Sequence, residues 1–129
     1  MENCDIAVLL VDDDEMIREC VTAYLEDEGF SVHVAASGEV GLEMMLSLRP
    51  AVCISDLRLT GMSGEEFIVK AHALNPTTGF LLHTGMIYSL SDKLYAIGMT
   101  DEDVLLKPIH DLARLVSKVR NSAAAGGPL

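Results

Sequence analysis

Four groups of residues in this chain could do chemistry together: the run Asp12-Asp13-Asp14, the isolated Asp56, the pair Thr84-Gly85, and Lys107. Carboxylates brought close together repel, and near neutral pH they are reconciled either by protonation or by a hard divalent cation with oxygen ligands. Magnesium is the natural ion, because it takes one or two carboxylates, keeps several waters, and leaves positions that a phosphoryl oxygen can enter. Lys107 would then neutralise a second phosphoryl oxygen, Thr84 would donate its hydroxyl to a third, and the small Gly85 would let main chain approach closely. In such a site a carboxylate can attack an activated phosphoryl donor and become an acyl phosphate. Asp56 suits that role because it stands alone, whereas the adjacent Asp12 and Asp13 are better suited to holding a cation. The barrier would fall mainly through positioning and charge neutralisation.

These residues are far apart in the chain, so the elements between them must bring them together. Apolar runs rich in branched residues predict strands at 6–11, 31–35, 51–55, 79–83 and 103–106. Helical spacing fills the intervals. Met16, Ile17, Cys20, Val21, Tyr24 and Leu25 form one stripe, with Gly29 at the expected C-cap position. A second helix covers 39–48, with Ser37 as N-cap and Pro50 closing it. A third opens on Ser63-Gly64-Glu65-Glu66, which has the form of a capping box, and carries Phe67, Ile68, Ala71 and Leu74 on one face. A short fourth spans 91–97, and a fifth runs from 109 to 120. Strict alternation of strand and helix predicts an α/β fold of right-handed βαβ units, with a five-stranded parallel sheet doubly wound by five helices. The polar-apolar alternation of Ser31-Val32-His33-Val34 places that strand at a sheet edge. In such sheets ligands bind at the carboxyl ends of the strands. Asp12-Asp13-Asp14, Ser55-Asp56, Thr84-Gly85 and Lys107-Pro108 each follow the end of a predicted strand.

Length and composition bound the rest. A chain of 129 residues, half of it apolar, suits one domain, read here as 1–121 with a disordered tail or linker remnant at 122–129. The longest apolar stretch, 6–11, is far short of the roughly 20 residues a membrane span needs, and the start lacks a basic signal-peptide region, so a cytoplasmic protein without membrane contact is expected. A net charge of −11 argues against direct nucleic-acid binding. The charge is uneven, since 15 of the 20 acidic residues stand at or before Glu66, and an anionic half suits a cation site. Three cysteines with no metal-ligand spacing read as free thiols, with Cys20 and Cys53 expected to be buried. The four histidines share no metal spacing, and the seven methionines read as flexible core filler. Asp14 and Glu15 are accounted for by helix-start preference alone.

Taken in order, Leu10-Val11-Asp12-Asp13-Asp14, Ser55-Asp56-Leu57, Gly61-Met62-Ser63-Gly64, Thr84-Gly85 and Lys107-Pro108 resemble the response-regulator receiver family of two-component signalling. The resemblance covers residues 6 to 120. It implies a flavodoxin-like strand order 2-1-3-4-5. It implies that Asp56 takes a phosphoryl group from a sensor histidine kinase or phosphotransfer protein, shifting the domain between inactive and active conformations. Asp13, Asp56 and the main-chain carbonyl of Arg58 would coordinate Mg2+, with Asp12 acting through water. Lys107 would be the ion-pairing lysine, joined to Pro108 by a cis peptide, and Thr84 the switch hydroxyl. Weak homodimerisation or partner binding through the last helix and strand is a further family-based expectation. As a signalling receiver, the chain would promote its own phosphorylation and dephosphorylation without being an enzyme in the usual sense. Two features depart from the family pattern. Val104 stands where a switch aromatic is usual, and the segment 99–103 looks two residues longer than common. A phosphorylation-independent interaction module is therefore the second reading. An aspartyl-phosphate phosphohydrolase is the third, although Leu57, Arg58 and Leu59 supply no second carboxylate after Asp56.

Overall fold

The computed structural model describes residues 6–86, 88–107 and 112–126. Five strands alternate with five helices: β1 (Ala7–Val11), α1 (Glu15–Asp27), β2 (Ser31–Ala35), α2 (Gly38–Leu48), β3 (Val52–Ser55), α3 (Gly64–Leu74), β4 (Gly79–Thr84), α4 (Asp92–Ala96), β5 (Val104–Leu106) and α5 (Leu112–Gly126). The sheet is parallel with order β2-β1-β3-β4-β5, and β2 lies at an edge, as its alternating pattern requires.

Helix starts follow local chemistry. The Asp14 carboxylate accepts the Met16 and Ile17 N–H groups, Ser37 accepts from Val40 N, and Ser63 accepts from Glu66 N. Each side chain satisfies a donor that the first helical turn leaves free. At the other end of α2, Arg49 adopts a left-handed conformation with φ 50° immediately before Pro50. A proline disfavours the right-handed helical conformation in the residue before it, and the helix stops there.

Alternate residues of the strands feed two separate cores. Leu9, Val11, Cys53 and Leu82 pack with Met45, Phe67, Ile68, Ala71 and Leu94 from α2, α3 and α4. Val8, Leu10, Val52, Ile54, Leu81 and Leu105 pack with Val21, Leu25, Leu115, Val116 and Val119 from α1 and α5. The central strands are apolar on both faces because both faces are covered.

Several expectations are corrected. Residues 122–126 are helical rather than a disordered tail: Ala123 packs against the α1/α5 core, and Ser122 lies against Gly79, where an added Cβ would come within 2.1 Å of its Oγ. Asp103 belongs to a short 3-10 turn at Asp101–Asp103 and not to β5. That turn closes on itself, as the Asp103 carboxylate accepts the Thr100 N–H at 2.9 Å. Cys53 is buried but Cys20 is exposed, and Met16 is 78% exposed. These two lie one turn apart on α1, beside the buried stripe through Val21 and Leu25 rather than on it. Met86, at 40% exposed, does not serve as core filler, and Leu74, expected on the packed face of α3, is 39% exposed. Pro108, Ile109 and His110 lie outside the described residues.

Phe67 is the largest of the fully buried side chains and sits on the helix that follows Asp56. Phe67→Ala is expected to lower stability by about 3–5 kcal/mol, read from the midpoint of urea unfolding.

Candidate functional site

The sheet continues for one residue past the ends of β1 and β3, and this places the first two carboxylates. Asp12 N donates to Ala35 O at 3.1 Å, and Asp56 N donates to Val11 O at 2.9 Å. Both main chains are therefore held in the ladder while their side chains emerge at its carboxyl edge. The guanidinium of Arg18 donates to Asp12 O at 2.7 Å and fixes the turn into α1. Asp13 points to the same place from the next position, and Thr60 Oγ1 donates to Asp13 Oδ2 at 3.3 Å. One carboxylate oxygen from each of Asp12, Asp13 and Asp56 lies within 4.8 Å of the others.

Lys107 arrives from the end of β5, where its N–H donates to Thr84 O at 2.7 Å. Its ammonium stands 2.8 Å from Asp12 Oδ2 and 3.0 Å from Asp56 Oδ2. Burial alone would lower the Lys107 pKa, but the carboxylates of Asp12 and Asp56 outweigh it and raise the ammonium above its ordinary value. Asp12 is completely buried, and burial raises its carboxyl above the ordinary value against the opposing pull of Lys107 and the Asp14 N–H. Its Oδ2 has no hydrogen-bond partner among the described residues apart from the ammonium beside it. Three carboxylates against one ammonium leave the cluster short of positive charge. Its all-oxygen donor set fits a hard divalent cation.

Thr84 is buried at the end of β4, and its hydroxyl oxygen accepts the Met86 N–H at 3.3 Å. Gly85 follows as an exposed residue, and a Cβ added there would meet nothing within 4 Å. Protein packing therefore does not require a glycine at 85. The Arg58 N–H donates to Asp56 Oδ1 at 3.4 Å. Val104 is half-buried against the α2/α3/α4 core and pairs in register with Leu82.

Two contributors escaped the sequence reading. Thr60 and Arg18 act from loop and helix positions that no periodicity marks. Gly64, already part of the Gly61-Met62-Ser63-Gly64 motif, has a packing reason here: a Cβ on it would come within 2.1 Å of the Asp56 carbonyl oxygen, and its N–H donates to Leu57 O at 2.6 Å. Only a residue without a side chain lets the start of α3 press so closely on the Asp56 backbone. His83 is a further buried group beside the site, with Nε2 unpartnered among the described residues.

A doubly wound α/β domain with clustered aspartates and a lysine at the carboxyl ends of its strands belongs to the phosphoacceptor class, and comparison with known proteins makes the class specific. The family profile described as "Response regulator receiver domain" matches residues 8–120, and the chain belongs to that family of signalling modules. It is 30% identical to the cell cycle response regulator CtrA of Brucella ovis over 118 residues, covering 89% of this chain and 50% of the relative. The chain thus spans about half the length of the curated relatives it matches. A CheY-like receiver domain protein from Methanospirillum hungatei superposes with a TM-score of 0.81 at 27% identity, covering 94% of this chain and 95% of that one. Chemotaxis protein CheY4 of Vibrio cholerae superposes with a TM-score of 0.77 at 29% identity, covering 91% and 98%. The aspartate cluster, with Asp12 buried and Asp13 exposed, fits the phosphoacceptor site of such a domain. Among the described residues no helix is long and apolar enough to cross a membrane.

Two predictions follow from the electrostatics. Burial, and secondarily the Lys107 ammonium, lower the His83 pKa from 6.5 to about 4. Below pH 6.5 the unfolded chain takes up this proton first, so stability is lost as pH falls from 6.5 toward 4, by roughly 3 kcal/mol in all. His83→Leu is expected to flatten this limb in urea unfolding measured across that range. Asp12 has the opposite sign: its raised pKa means that ionisation destabilises the fold as pH rises above 3.8. Asp12→Asn is expected to raise the urea midpoint at pH 7 without magnesium while weakening magnesium binding measured by calorimetry.

Proposed function

We propose that this chain is the phosphoacceptor receiver of a two-component phosphorelay and that Asp56 is the residue phosphorylated. The observation that carries the reading is the Lys107 ammonium lying 2.8 and 3.0 Å from the carboxylates of Asp12 and Asp56, with Asp13 beside them. A carboxylate oxygen of Asp56 attacks the phosphorus of a phosphohistidine on a sensor kinase or phosphotransfer protein, and the bond from phosphorus to the imidazole nitrogen breaks. Lys107 neutralises charge on the incoming group, and the Thr84 hydroxyl donates to one of its oxygens.

Asp13, Asp56 and the Arg58 main-chain carbonyl would hold Mg2+, with Asp12 acting through a water. Bound magnesium supplies charge neutralisation at the phosphoryl oxygens. Asp12, fully buried, keeps the Lys107 ammonium oriented toward Asp56. The same groups serve hydrolysis of the acyl phosphate, so the domain promotes both its own phosphorylation and its own dephosphorylation. The receiver unit includes α5 through Gly126, works in the cytoplasm, and signals to a target or output domain by a conformational shift.

A second reading, a phosphorylation-independent interaction module, draws on Val104, which gives this chain no aromatic at that switch position. Intact-mass measurement separates the two. Acetyl phosphate with magnesium is expected to add one phosphoryl group to the wild-type chain. Omitting magnesium, or substituting Asp56→Asn, is expected to abolish the addition. An unmodified wild-type chain under these conditions would establish the second reading instead.

A further inference from the structure

The segments on either side of Asp56 are tied to each other by a bond that the phosphoryl chemistry does not use. Tyr88 is half-buried and packs against the core shared by Leu82, Leu90 and Leu94. Its hydroxyl donates to Glu65 Oε1 at 2.8 Å. Burial, then the Glu65 carboxylate, pushes the phenol up to about 12, so its O–H is retained and keeps donating near neutral pH.

Both ends of this bond lead to the site. Glu65 stands in the first turn of α3, next to Gly64, which presses on the Asp56 carbonyl and donates to Leu57 O at 2.6 Å. On the other side, Tyr88 follows the stretch in which Met86 N–H donates to the Thr84 hydroxyl at 3.3 Å. Thr84 O accepts from Lys107 N, and Lys107 Nζ returns to Asp56 at 3.0 Å. Contacts thus run from Asp56 through the start of α3 to Tyr88, and from Asp56 through Lys107 to Thr84, which stands four residues before Tyr88 in the chain. Val104 packs against the same core as the Tyr88 ring, which joins that layer from the connection after β4.

We propose that the Tyr88–Glu65 bond is a latch that holds the Thr84 segment back and opposes the seating of a phosphoryl group on Asp56. A phosphoryl group brings three acceptor oxygens to a site whose ammonium already serves two carboxylates. For the Thr84 hydroxyl to supply a further donor, it has to release the Met86 N–H, and Tyr88, two residues on from Met86, is drawn with that change. A bond made before that movement and lost in it disfavours occupancy by its own free energy, and by linkage its removal favours occupancy equally. Tyr88 and Glu65 are positioning residues in this scheme, and the proposal rests on the phosphoacceptor reading above.

The test is a titration of the full chain with beryllofluoride, a phosphoryl mimic, at saturating magnesium, followed by NMR at the Gly85 and Met86 amides. Tyr88→Phe keeps the ring and removes the hydroxyl, and Glu65→Ala removes the acceptor. Each is expected to tighten apparent affinity by about three- to tenfold, and the double variant is expected to match either single one. Glu65→Gln retains an acceptor oxygen and is expected to stay within about twofold of wild type. Unchanged or weaker affinity in Tyr88→Phe, or additive effects in the double variant, overturns the latch. If the wild-type chain binds no mimic and takes no phosphoryl group from acetyl phosphate, the latch and the phosphoacceptor reading fall together. If wild type binds and the variants do not shift, the latch alone falls.

Discussion

The ammonium of Lys107, set between the carboxylates of Asp12 and Asp56, is the interaction on which the rest of this site depends. One of those carboxylates is wholly buried, and burial works against its charge. Such an ion is tolerable only while a counter-charge is held against it, because removing one partner of a buried pair leaves the other uncompensated. Lys107 meets that need for Asp12 and reaches Asp56 at the same time. Asp13 completes a cluster in which negative charge still exceeds positive, and the excess suits a hard cation, whose charge together with Lys107 would offset that of an anionic group beside it. Stability is given up locally in exchange for a prepared electrostatic environment.

The fold supplies that arrangement by ordinary means. Parallel strands deliver their carboxyl ends to one edge of the sheet, and ladder hydrogen bonds extended to Asp12 and Asp56 carry the main chain to that edge in fixed register. Two apolar cores, one on each face, leave the strands little freedom to slip. The β3–α3 connection then folds back so tightly that Gly64 meets the Asp56 backbone, and the first turn of α3 becomes part of the site wall. Thr60, in the same connection, reaches across to Asp13. The acidic residues are thus held by sheet, helix start and loop together.

Membership in the receiver family sets the general scheme, and this chain varies it around β5 and the β4–α4 connection. The segment before β5 closes as a 3-10 turn capped by Thr100 and Asp103, without disturbing the pairing of β5 with β4. Val104 contributes an aliphatic side chain to the core where family members commonly carry an aromatic one. The Tyr88 ring enters the same layer from the β4–α4 connection and reaches Glu65 through its hydroxyl. That bond ties the β4–α4 connection to the helix that follows Asp56.

Local sequence determined a large part of this protein. Strand-helix alternation, the caps at Ser37 and Ser63, the edge character of β2 and the polar residues following the other four strands are all short-range patterns, and each depends on neighbours within a few positions. The strand order came from family resemblance, since alternation alone is compatible with several orders. Tertiary structure decided which carboxylate is buried, for Asp12 and Asp13 are identical in type and adjacent, and only the faces of β1 separate them. It also decided that α5 continues through 122–126, where the Ala-rich stretch has no periodicity but finds Gly79 and the α1/α5 core to pack against. Cys20 and Met16 fell outside the buried stripe of α1 by one step of helical rotation, a difference set by how the helix seats on the sheet. The contacts of Thr60, Gly64 and Tyr88 join residues whose partners lie elsewhere in the chain, and such contacts exist only once the crossovers have brought the strand ends together.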